Sequence, residues 1–271
     1  MNRTAAIIVW SVLGLGTFGC GGGGSSPTSP STSTTTTTTT TPTTPATTPV
    51  TWNFNGSVWT ASSTAPACPS PLNLSLPIDL SRVTSILYPG QTRGEYKPHG
   101  GFRFDQPGQA NDVAVTVPMA STIFRGARYL VGGEIQYEFD FINECGLMHR
   151  IGHLRELSTR FAALAATLPA AVEGDSRTTN FSAGLTAAAG EALGTAVGLR
   201  TTNNVFFDWG VYDLRQRNSA STNATWFAAH PGELAPYAIC WLDALTSANS
   251  AAVRALPAAD PTAGRTSDLC R

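Results

Sequence analysis

Charge is scarce in this chain. Lys, Arg, Asp and Glu together make up 13% of 271 residues, and they nearly cancel, leaving a formal net charge of −1. No basic surplus is left to neutralise a row of phosphates, so nucleic acid is excluded as a partner. Histidine is scarcer still. His99, His149, His153 and His230 are the whole stock, and any imidazole chemistry must draw on them. The cysteines form no CxxC pair, which excludes a zinc ribbon or a thioredoxin-like motif. The apolar stretch at 5–15 would rise only ~16 Å as a helix, about half a bilayer core, so a spanning anchor is not expected there.

What is present begins with a leader. Arg3 opens a short positive region, residues 5–15 (AAIIVWSVLGL) are apolar, and GTFGC places a small residue before Cys20. This order reads as an export signal. It resembles a bacterial lipoprotein processing site, which implies a signal peptide over 1–19 and a lipid-modified cysteine at Cys20. Residues 20–49 are Gly, Ser, Thr and Pro with almost no apolar side chains. Such a tract cannot bury enough surface to offset its ordering entropy, and is expected to form an unfolded stalk, plain or O-glycosylated. The expected location is a bacterial membrane, through a lipid anchor, facing the periplasm or the cell surface.

Residues 50–271 are enough chain for a single domain with a proper core. Cys68, Cys145, Cys240 and Cys270 are an even number in an oxidising compartment, so two disulfides are expected. Three pairings are possible. One of them, Cys240 with Cys270, would clip the tail to the domain and leave Cys68 for Cys145. Short alternating or apolar runs at 52–57, 83–90, 101–105, 112–119, 122–126, 128–133, 134–142 and 204–214 are separated by Gly, Pro and Asn. They predict a mostly β domain of antiparallel sheets. Helices are expected at 159–168, with Ser158 as cap, and near the end at 237–245 and 247–256. Residues 184–198 are ambiguous, because alanines favour a helix while four glycines favour strand and turn.

Among the histidines, His149 and His153 are four apart, the spacing of a zinc-binding helix. Arg150 stands where such a helix carries its glutamate, and Gly152 weakens it, so that reading is set aside. His230, before Pro231 and Gly232, reads as a solvated loop residue. His99 precedes a strand, and alternation would put His99, Gly101, Arg103 and Asp105 on one face.

In order, these pieces resemble the lysostaphin-type (LytM-like) zinc endopeptidases, which cut peptide bonds in bacterial peptidoglycan. HGGFRFD (99–105) is similar to their first-ligand segment. Residues 115–133 resemble the strand-turn-strand that follows it, and IGHL (151–154) the end of a Tyr-x-His-Leu strand. AAAGEALGTAVG (187–198) resembles a Gly-Glu/Asp-x-Ile-Gly turn, and NVFFDWGVYD (204–213) falls where the family has His-x-His-Phe-Gly-Val. The resemblance spans 83–214. It implies that His99 stands at the first zinc ligand and His153 at a catalytic histidine. The aspartate ligand falls on Arg103, the other catalytic histidine on Phe206, and the last ligand on Asp208.

The expectation drawn from these departures is a degenerate site, with an Arg103–Asp208 ion pair standing where the metal stood and no cofactor. The protein would then bind cell-wall peptide, glycan or a cell-wall hydrolase. The alternative is an active zinc endopeptidase using His99, Asp105 and Asp208, with His153 as acid-base or oxyanion group. A surface adhesin or structural lipoprotein is the third class.

Overall fold

The computed structural model describes residues 49–104, 112–200 and 206–271. The leader, Cys20, the stalk up to residue 48 and Asp105 lie outside the described residues. The rest is built mainly from antiparallel strands, as the alternating runs predict. In chain order these are β1 (Trp52–Phe54), β2 (Trp59–Ala61), β3 (Ser85–Leu87), β4 (Gln91–Arg93), β5 (Glu95–Lys97), β6 (Gly100–Arg103) and β7 (Val115–Thr116). They continue with β8 (Ser121–Val131), β9 (Glu134–Ile142), β10 (Leu147–Leu157), β11 (Thr179–Asn180), β12 (Thr186–Ala187), β13 (Ala192–Val197) and β14 (Phe206–Asp213). The main sheet runs β11-β8-β9-β10-β14-β6-β3, with β13 also on β10. β1 with β2, and β4 with β5, form separate hairpins.

Register fixes which side chains share a face, because directly opposed residues point the same way. Phe139, Ile151 and Trp209 oppose one another across β9, β10 and β14, as do Phe207, Phe102 and Ile86 across β14, β6 and β3. All six are fully buried and belong to the larger core. α1 (Thr159–Ala165) covers this face with Phe161, whose ring lies 5.3 Å from Phe139. Trp241 closes it further along, 4.6 Å from Trp209.

The opposite face carries two kinds of material. At one end Ile142, Met148 and Tyr212 pack with Trp52 and Trp59 of the β1–β2 hairpin. Beside them runs a charged row, with Arg125 on β8 and Glu138 and Asp140 on β9 buried and Arg150 on β10 half-buried. The other end of this face holds the site described below.

Several local expectations are corrected. The two runs expected at 122–126 and 128–133 are one strand, β8, because Ala127 between them keeps pairing with β9; the strand ends at Val131, and Gly132 and Gly133 form the turn. The expected helix at 237–245 is two 3₁₀ turns, Ala235–Tyr237 and Trp241–Ala244. Ile239 between them donates instead to the Val211 carbonyl at 3.0 Å, which breaks the helical ladder. α3 (Ser247–Ala255) forms as expected, and 184–198 resolves to β12 and β13. α2 (Ala224–Ala229) was not foreseen. Asn223 caps it by accepting from Thr225 N and Trp226 N. His230 ends it half-buried, its ring 4.0 Å from Tyr96 in a stack, so it is not a freely solvated loop residue.

Both disulfides form, Cys68–Cys145 and Cys240–Cys270. They fit an oxidising compartment. No helix of the described residues is long and apolar enough to cross a membrane.

Candidate functional site

The site begins with a defect in β10. Across Ile151 to Leu154 the partner strand β9 advances only from Phe139 to Tyr137, so Gly152 and His153 together oppose one residue, Glu138. This is a β-bulge. His153 takes φ 59°, the only positive value at a non-glycine among the described residues. Regular alternation would put His153 on the face of His149 and Ile151, in the core. The bulge turns it to the opposite face, toward Asp208, which pairs with Gly152 on one side and Gly101 on the other.

Gly101 has a steric reason. A Cβ there would lie 2.2 Å from the Phe207 carbonyl oxygen, so only glycine lets β6 close on β14. His99 then sits two residues before Gly101, on the face of Asp208, as strand alternation requires.

Three side chains therefore converge, His153 from β10, Asp208 from β14 and His99 from just before β6. His99 Nε2 is 3.1 Å from Asp208 Oδ2, and His153 Nε2 is 3.2 Å from the same oxygen. Each side chain is less than one-fifth exposed. Burial alone would push the Asp208 carboxyl up. The two imidazoles outweigh it and hold this carboxyl well below the usual carboxylate range.

His153 is also gripped from behind. Its Nδ1 meets Gln136 Oε1 in a short contact, its backbone N–H donates to the Tyr129 hydroxyl at 3.1 Å, and the Phe206 ring lies 3.9 Å away.

These residues line a cleft of about 500 Å³. Arg93, Lys97 and Arg103 line it as well, together with Asp260 of the C-terminal segment. Arg93 donates to Tyr88 O and Gln91 Oε1 at 3.0 Å and to His99 O at 3.4 Å, so it fixes the backbone that presents His99. Burial draws its guanidinium below the ordinary value, and Asp208 and Asp260 oppose that shift.

Of the residues singled out in the sequence, His99, Arg103, His153, Phe206 and Asp208 share this cleft. The two members of the expected Arg103–Asp208 pair both line it, and the close ionic partners of the carboxylate are the two imidazoles. His149 is elsewhere. It is fully buried among core side chains, accepts from Trp209 Nε1 at 3.3 Å, and its pKa is pushed down to about 3 by burial.

The site residues missed in the sequence are Gln136 and Tyr129, which reach His153 from two other strands, and Arg93, Lys97 and Asp260. The one local signal was Gly152, since a lone glycine inside a strand often marks a bulge. No group of three or more His, Cys, Asp or Glu side chains suited to a metal ion occurs among the described residues. No protein-family model, curated protein or solved structure matches this chain.

Proposed function

We propose that this is an exported protein, tethered through a lipid on Cys20, whose LytM-like domain binds cell-wall peptide or glycan in the His99–Asp208–His153 cleft without hydrolysing it. The observation that carries the reading is that two imidazoles already engage Asp208, in a cleft that Arg93 and Arg103 also line. A guanidinium cannot ligate a metal and is a poor neighbour for a divalent cation, whereas it can pair with a ligand carboxylate. Arg103 and Phe206, where the family carries a ligand and a catalytic histidine, remove two parts that hydrolysis needs. The two disulfides accord with export.

The zinc endopeptidase reading has one observation in its favour. His99 Nε2 and Asp208 Oδ2 at 3.1 Å match the edge of a tetrahedral ligand set, which is about 3.3 Å for metal bonds of 2.0–2.1 Å. His99 and Asp208 would hold such an ion with Asp105, and it would polarise a peptide carbonyl.

A binding assay tests the proposal. Purified protein is expected to co-sediment with peptidoglycan sacculi and to leave their soluble fragment content unchanged, and His99→Ala should weaken the binding. Released peptides, or retention that His99→Ala leaves untouched, would contradict it.

A further inference from the structure

The left-handed backbone at His153 has to be held, because a residue other than glycine stays at positive φ only where its surroundings over-determine it. Both backbone groups of His153 are taken. Its N–H donates to the Tyr129 hydroxyl at 3.1 Å, and its carbonyl accepts from Gly198 N at 2.8 Å, just past β13. The ring has Gln136 Oε1 at Nδ1, Asp208 Oδ2 at Nε2 and Phe206 against it.

Two of these partners act as one unit. Tyr129 on β8 and Gln136 on β9 oppose each other directly in the ladder, so their side chains leave the sheet on the same face. Both are buried. A polar group is costly to bury unless it has a partner. The partner of the Tyr129 hydroxyl is the N–H of a residue in the bulge, where a strand leaves its ladder. One member of the pair therefore meets the backbone of His153 and the other meets its ring. Without the hydroxyl, nothing in β8 opposes a return of residue 153 to regular alternation, on the face of His149 and Ile151.

We propose that Tyr129 and Gln136 are positioning residues, a cross-strand clamp in which the phenol fixes the backbone of His153 and the amide fixes its ring, so that the imidazole stands in the cleft beside Asp208. The inference goes beyond the binding reading, and only the sacculus arm of its test rests on that reading.

Full-length protein with isotope-labelled histidine tests it by nuclear magnetic resonance. The chain has only four histidines, and the Cα and Cβ shifts of a left-handed residue stand apart from those of a strand. His153→Asn identifies the signal by its loss. Tyr129→Phe keeps the ring and removes one oxygen. It should move the His153 Cα and Cβ signals toward strand values, leave His149 and His230 in place, and weaken co-sedimentation with sacculi about tenfold, the size of one lost hydrogen bond with its donor left buried. Gln136→Leu should leave the His153 Cα signal where it is, shift the ring carbons alone, and weaken sacculus binding to a similar degree. If Tyr129→Phe leaves the His153 signals unchanged, the hydroxyl only fills space and the proposal is overturned. It is overturned too if both variants shift His149 and His230 as well, which is general loosening. If the signals move as expected while wild type does not bind sacculi, the clamp stands and the cell-wall reading fails. If wild type binds and the signals move but both variants bind as wild type does, ligand binding does not use the position of His153, and the positioning role is overturned.

Discussion

Replacing Asp140 with alanine is expected to lower the melting temperature by roughly 6–20 °C. Asp140 is fully buried between two guanidiniums. It accepts from Arg125 Nε at 2.6 Å, and from Arg150 Nε and Nη2 at 2.8 and 2.7 Å. Burial alone would push its carboxyl up, but Arg150 and Arg125 outweigh that and hold it below the ordinary value. Removing it takes from both guanidiniums their most buried partner and leaves Arg125 with Glu233 and Arg150 with Glu138. Glu138 is a poor substitute, because burial pushes its own carboxyl up to about 7. Breaking a buried pair in this way costs about 3–5 kcal/mol, and each kcal/mol shifts a domain of this size by about 2–4 °C. Thermal unfolding followed by circular dichroism measures the shift. Arg177 also makes several hydrogen bonds to one carboxylate, Asp175, but its own side chain is 89% exposed. Arg177→Ala should leave the melting temperature where it is. If the two variants behave alike, the buried row does not hold the sheet together.

Reduction of both disulfides should destabilise the fold more than any single substitution in the buried row. The bridges span 77 and 30 residues, and the chain-entropy account assigns about 4.5 and 3.6 kcal/mol to loops of those lengths. Cys68–Cys145 ties the segment after β2 to the turn between β9 and β10. Cys240–Cys270 fastens the wall that carries Asp260. Cys270→Ser, with Cys240→Ser to avoid a stray thiol, should therefore speed amide exchange over 257–270 more than in the β8–β10 strands. Uniform exchange loss, or none, would show that the segment is held by its backbone hydrogen bonds alone.

The strands were legible because their side chains alternate over short runs bounded by glycine and proline. β9 and β14 were recoverable from EIQYEFDFI and NVFFDWGVYDL for that reason. The helix at 159–165 was legible from its three-and-four spacing and the following proline. The turns at 235–244 were not. Their helix-like composition is overridden by a long-range hydrogen bond between Ile239 and Val211, which no local window contains.

The cleft divides in the same way. His99 was placed by simple alternation with Gly101. His153 needed the bulge, which depends on how β10 registers against β9, and Gln136 and Asp260 come from distant segments with no local mark. The charged row was hidden for a related reason. Asp140 and Arg150 look like the solvated side of two alternating strands, yet Asp140 is fully buried between Arg125 and Arg150, and Arg125 pairs further with Glu233.

The central claim is that imidazoles and fixed cations around Asp208 make an anion-accepting cleft and not a metal centre. Metal content of the protein, purified untagged and without chelator, tests it most directly. The account predicts zinc far below one per chain, and a melting temperature that added zinc does not raise. One zinc per chain, with a stabilisation that His99→Ala removes, would contradict it.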